Sequence, residues 1–145
     1  MHSKVLNDQG ERTFALIFET GEEVMASLTA FANEQNLRAS RFTAIGAFSE
    51  VVLGYFDWQK KDYERMPFTE QLEVLSLVGD IAREGNDAKV HAHIVLGRRD
   101  GSTCGGHLLQ GRVRPTLEVM LTESPSYLKR VYDPVSGLAL IDIGA

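Results

Sequence analysis

From Phe42 onward the chain is built from short β-rich runs separated by turn signals, and this spacing limits the fold more than any other feature of the sequence. Phe42 to Phe48 (FTAIGAF) and Val51 to Trp58 (VVLGYFDW) read as two strands, with Ser49 and Glu50 between them as a tight hairpin. Lys60, Lys61 and Asp62 mark a turn, and Tyr63 to Phe68 reads as a short edge strand because Pro67 cannot donate to a central ladder. Gln71 to Ile81 is a further strand in which Leu77, Gly79 and Ile81 keep period two. Val90 to Leu96, the turn Arg98 to Ser102, and the return run Thr103 to Val113 form a hairpin, and Thr116 to Thr122 and Leu138 to Ile143 are the last two strands. Tyr127 to Val131 reads as a helical turn, within a segment from Ser124 to Tyr132 too short to assign.

Ahead of these runs, residues 1–10 form a polar lead-in and Arg12 to Glu19 a first strand. Thr20 and Glu23 have the spacing of a capping box, in which two side chains satisfy free N–H groups at a helix start. Val24, Leu28, Phe31 and Ala32 then recur at helical spacing and give one apolar face, before the helix fades near Asn33 to Asn36. One helix followed by hairpin-spaced strands predicts an α+β fold: an antiparallel sheet with one main helix packed on it. No repeat or linker divides residues 11–145, which read as a single domain of ordinary size.

Composition narrows the function classes. The net charge is −5, which disfavours a duplex-DNA binder that must neutralise phosphates. Cys104 is the single cysteine, so no intramolecular disulfide is available, which fits a reducing compartment. Met1 to Gly10 lacks the apolar segment of a signal peptide, no run approaches a membrane span, and a cytoplasmic location is expected.

Three of the four histidines lie in one hairpin. His91 and His93, two apart on a strand, share a face at roughly 6.5–7 Å spacing. His107 depends on register. A plain two-residue turn at Asp100-Gly101 sets it opposite Ile94, on the wrong face. A bulge at Gly105-Gly106 sets it diagonal to His93, and a three-residue turn sets it opposite His93. Either correction gathers three imidazoles on one face, a donor set that suits Zn²⁺ with a fourth position open, and also suits Fe, Ni or Cu.

Gln71 to Ile81 (QLEVLSLVGDI), Val90 to Leu96 (VHAHIVL) and Asp100 to Leu109 (DGSTCGGHLL), with the preceding helix and Gly46-Ala47-Phe48, resemble the plants-and-prokaryotes-conserved (PPC) domain in its stand-alone prokaryotic form, over roughly residues 10–145. The resemblance implies a homotrimer, a divalent metal, zinc foremost, on His91, His93 and His107, and a DNA-binding label drawn from plant relatives that carry AT-hooks. No AT-hook is present here. Arg112-Val113-Arg114-Pro115 lacks the glycine of a hook and ends a predicted strand.

Glu73, flanked by apolar residues, is the candidate general base or orienting carboxylate. Cys104 reads as an apolar packing residue, Arg98 and Arg99 as a solvated turn, and Tyr55, Phe56 and Trp58 as packing aromatics. Three functions compete. One is a trimeric metal-binding protein with a regulatory or small-molecule-binding role. The second is a metal-dependent hydrolase or lyase using the three-histidine site. The third is a DNA-associated protein. None is a membrane protein.

Overall fold

A computed structural model describes residues 1–125 and 127–143. The chain runs β1 (His2–Asn7), β2 (Arg12–Glu19), α1 (Val24–Glu34), β3 (Ala39–Asp57), β4 (Asp62–Phe68), β5 (Leu72–Glu84), β6 (Asp87–Gly97), β7 (Thr103–Glu123), β8 (Lys129–Asp133) and β9 (Leu138–Asp142). The fold is therefore mainly β, not the α+β arrangement with a main helix that the sequence predicts. The helix is only 11 residues long, whereas β3 and β7 reach 19 and 21 residues. No helix among the described residues is long and apolar enough to cross a membrane.

The long strands account for the difference in class. Ser49-Glu50 is not a hairpin but the interior of β3, where the ladder to β7 shifts register between Phe48 and Glu50 and absorbs the polar pair. Thr103–Val113 and Thr116–Thr122 are likewise one strand, β7. Pro115 falls where β7 changes register, between the pairs Phe48↔Val113 and Gly46↔Leu117, so its missing N–H removes no rung. Because they are long, β3 and β7 change partners along their length. The ladders β3–β5, β5–β6, β6–β7 and β7–β3 close a circuit, with β4 on β3 and β1 outside β2.

Residues 2–7, read as a polar lead-in, form the exposed edge strand β1 on β2. Residues 129–133 form β8 where the sequence predicts a helical turn over Tyr127 to Val131; β8 pairs antiparallel with β9 and touches β5 at Arg83↔Lys129.

The helix buries the four residues of its apolar face, Val24, Leu28, Phe31 and Ala32. Phe31 meets Phe14 of β2 edge-on at 5.3 Å between ring centroids. The cap is Glu23, whose carboxylate accepts from the Met25 and Ala26 amides, while the Thr20 hydroxyl donates to Pro115 O instead. The same Glu23 carboxylate accepts from the Gly111 amide and ties the helix start to β7. The core lies on one face of the strands: Phe14, Leu16 and Phe18 of β2, Leu77 and Ile81 of β5, Ala92, Ile94 and Leu96 of β6, and Leu117, Val119 and Leu121 of β7 are all buried. Alternation then sends His91, His93 and Val95 to the opposite face of β6.

Candidate metal centre

The turn between β6 and β7 sets the register of the histidines. The Arg98 amide donates to Ser102 O, leaving Arg99, Asp100 and Gly101 as a three-residue turn closed by Gly101 at φ +83°. Asp100 accepts from the amide and hydroxyl of Ser102. From there the ladder runs without a shift, Gly97↔Thr103 to His93↔His107, so His107 faces His93 directly. Of the two registers left open by the sequence, the three-residue turn is the one adopted, and Gly105-Gly106 does not bulge. Those glycines serve close approach: a Cβ at Gly105 would lie 2.5 Å from Ile94 O, and one at Gly106 3.0 Å from Gly54 O.

His91, His93 and His107 present one nitrogen each within 4.8 Å of one another. Their ring centroids are 5.1–5.3 Å apart, and His91 Nε2 lies 3.2 Å from His93 Nε2. Nitrogens bound at about 2.0–2.1 Å to a common tetrahedral ion stand about 3.3 Å apart, so the His91–His93 spacing already fits one.

Two neighbours fix the rings. Asp80 of β5, the cross-strand partner of His91, places Oδ2 3.5 Å from His91 Nδ1. A proton held on Nδ1 by this carboxylate leaves the Nε2 lone pair facing the other rings. Tyr63 of β4 stacks on His107 at 4.5 Å, with its hydroxyl 3.5 Å from Nδ1, at the limit of hydrogen-bond reach. Asp80 in turn accepts from Arg130 Nη2 of β8, and the Arg130 side chain is 9% exposed.

The protonation states suit metal ligation. Burial, then the neighbouring His91 and His93, push His107 down to about 4. Burial and the adjacent His91 also lower His93. His107 is therefore neutral, the form that binds metal, well below neutral pH, and His93 is displaced toward the same form. For Asp80, burial alone would raise the carboxyl, but hydrogen bonding from His91 and the charge and hydrogen bond of Arg130 outweigh it and hold it below the usual range.

His91 and His107 line a cleft of about 410 Å³ formed by residues of β4, β5, β6 and β7 together with the β8–β9 hairpin. Tyr63, His91 and His107 share its lining with Arg130, Leu138 and Leu140.

Other sequence candidates lie elsewhere. Glu73 is exposed on β5 opposite Gly97, five residues from Val78, the partner of His93. At about 3.3 Å per strand residue this is about 16 Å from the centre, so the structure does not bring Glu73 to the histidines. Cys104 pairs with the buried Leu96 and packs against the core on the face away from the histidines. Arg98 is engaged by Glu70, Arg112 by Glu50 and Gly21 O, and Arg114 by Gln71. Phe56 packs edge-on between Trp58 and Tyr63.

Asp80 and Arg130 were not singled out from sequence. Asp80 sits in phase with His91 in the Gly-Asp-Ile run, so ladder counting from a known hairpin could have found it. Arg130 carries no such signal.

The sequence profile of the Plants and Prokaryotes Conserved (PCC) domain matches residues 6–125. Among solved structures, a plant- and prokaryote-conserved (PPC) protein from Pyrococcus horikoshii superposes with a TM-score of 0.85 at 30% identity, covering 92% of this chain and 93% of its own. A metal-containing protein from Archaeoglobus fulgidus gives 0.85 at 32% identity, covering 97% and 99%. A candidate DNA-binding protein from Bacteroides thetaiotaomicron gives 0.86 at 27% identity, covering 97% and 96%. The chain is also 33% identical over 129 residues to the bifunctional protein GlmU of Synechococcus sp. (strain JA-3-3Ab), matching 87% of this chain but only 20% of that protein.

Proposed function

The chain belongs to the Plants and Prokaryotes Conserved domain family, and from that premise we propose that it binds one divalent cation, zinc, through His91, His93 and His107 and uses the open coordination position to hold a small molecule. The observation that carries this reading is the convergence of three imidazoles, one nitrogen of each within 4.8 Å of the others, with Asp80 beside the His91 ring. A metal-containing relative of the same fold supports it. When bound, such an ion supplies a Lewis-acidic site. The chain's own groups orient the ligands and line the cleft: Asp80 lies beside the His91 ring, Tyr63 stacks on His107, and Leu138 and Leu140 add apolar lining from β9. A hydrolase or lyase using this site is the alternative, favoured by the cleft beside the histidines. In that reading the general base is not Glu73, given its place on β5.

The reading includes a homotrimer. Met120, Thr43, Val78 and His93 are successive cross-strand partners in one row across the sheet. On this face Met120 is 48% and Val78 50% exposed, with Ile17, Ile45 and Val95 exposed around them. An exposed apolar surface of this kind on a sheet marks an assembly face. Association with DNA rests on the description of relatives. At a net charge of −5 it requires a local basic surface.

Elemental analysis of purified protein tests the metal reading. We expect one ion per chain, lost in the His91→Ala, His93→Ala double variant. Equal metal content in both proteins overturns it. For DNA, a titration at two salt concentrations is expected to show no binding that weakens as salt rises.

A further inference from the structure

Arg130 is a charged side chain in the cleft whose donors the metal reading leaves partly unused. It is nine-tenths buried, with Nη1 donating to Ala139 O and Nη2 to Asp80. Its Nε is buried and has no acceptor among the described residues. A buried guanidinium donor without a partner is costly, and native chains rarely keep one unless a ligand or water supplies the acceptor. Arg130 also lines the same cleft as His107 and is linked through one carboxylate, Asp80, to His91.

The charges point the same way. Asp80 is shared between His91 and Arg130, and Lys89 at the cleft is paired with Glu84. With a divalent cation on the histidines, the cleft therefore carries a surplus of positive charge. The rest of the wall is apolar: Leu138 and Leu140 of β9 stand across from Tyr63. A strongly hydrated dianion suits such walls poorly. A monoanion with a short apolar tail suits both, because a carboxylate accepts from the N–H groups that Arg130 has left over while its tail lies on the leucines.

Resting on the metal reading, we infer that the cleft takes a small carboxylate, with its anionic end between the metal centre and Arg130 and its apolar end against Leu138 and Leu140. The β8–β9 hairpin, Lys129–Asp142, is then the wall that selects the ligand. It lies beyond residues 6–125, the part matched by the family profile, whereas the three histidines lie within that part.

The test uses the full chain loaded with Co²⁺, whose visible absorption reports on the coordination sphere. Metal content is measured separately on each protein. Propanoate, its neutral isostere propanamide, and inorganic phosphate are titrated in turn. Propanoate is expected to shift the spectrum saturably, with propanamide and phosphate at least about tenfold weaker, and Arg130→Met is expected to weaken propanoate about tenfold or more with metal content unchanged. If propanamide matches propanoate, or Arg130→Met binds it as the wild type does, the inference is overturned while the metal reading stands. If Arg130→Met fails to fold, Leu140→Trp carries the test by filling the cleft from β9. It should keep the metal and weaken propanoate about tenfold, and unchanged affinity overturns the inference. Absence of metal from the wild type overturns the metal reading itself.

Discussion

His93 and His107 are direct cross-strand partners on β6 and β7, with ring centroids 5.3 Å apart. The third ring, His91, comes from the same strand as His93 two residues earlier, so the cluster needs only one ladder in the correct register. Replacing His107 with Gln leaves the His91–His93 pair intact and removes the donor supplied by the second strand. Metal affinity is expected to fall by more than about a hundredfold, beyond what loss of an outer-shell partner costs. Competition with a chromophoric chelator reads this directly, and affinity within a few fold of wild type would exclude His107 from the ligand set.

Asp80 acts on the centre through His91. Asp80→Asn keeps the shape of the side chain but removes the charge that favours a proton on His91 Nδ1. Metal affinity should drop about 10- to 100-fold with stoichiometry preserved. The same change leaves the buried Arg130 guanidinium without its counter-charge, at a cost of about 1–3 kcal/mol in stability. Chelator competition and urea denaturation separate the two effects. A variant that loses stability but binds metal as tightly as wild type would make Asp80 a partner of Arg130 alone.

The metal-free protein should lose stability as pH falls from about 6.5 to about 4. His107 is held at about 4 by burial and its two neighbours, below the ordinary 6.5 of the unfolded chain. Below pH 6.5 the unfolded chain therefore takes up a proton that the folded chain refuses, and unfolding is favoured. Above pH 6.5 both states are neutral at this ring and the effect vanishes. Below about 4 the folded ring is protonated too, and its contribution levels off. His93 is displaced in the same direction. Urea midpoints at pH 7, 5.5 and 4 should fall in that order, and His107→Gln should flatten the decline.

Much of the site was legible in the sequence, because it depends on period-two alternation and one short turn. The helix was legible in its buried residues, since Val24, Leu28, Phe31 and Ala32 are a 3.6-residue pattern that only a helix turns to one side. The length of β3 and β7 was not. Ser49-Glu50 looks like a turn because polar pairs usually end strands, yet here a register shift absorbs it. Turn-like polar residues inside both long strands make the sequence look like a row of short strands beside one helix, which is why it predicts α+β where the fold is mainly β. Arg130 was hidden for a different reason: β8 is five residues with no clear alternation, and its link to Asp80 spans 50 residues of chain.

The outer row from Met120 to His93 gives a test of assembly. Met120→Arg puts a charge in the middle of an apolar face without touching the core, since Met120 is 48% exposed. A trimer packed on this face should dissociate, because burying an unpaired charge opposes association strongly. Sedimentation equilibrium is expected to show a trimer for the wild type and a smaller species for the variant, with circular dichroism unchanged. A variant that sediments as the wild type does would place the interface elsewhere.

Gly105 tests whether close strand approach positions the centre. The residue is exposed on β7, so solvent accessibility alone would predict that alanine is harmless there. Its added Cβ would lie 2.5 Å from Ile94 O, a backbone atom that no rotamer change can move. The β6–β7 ladder must therefore yield, two residues from His107 and next to His93. Gly105→Ala is expected to cost about 1–3 kcal/mol in stability, as overpacking does, and to weaken metal binding. Thr103→Ala, on the same strand and exposed, should stay within about 0.5 kcal/mol and bind metal normally. Equal behaviour of the two variants would mean that the strands are free to separate locally, and that the register of His107 is set by the Arg99–Gly101 turn alone.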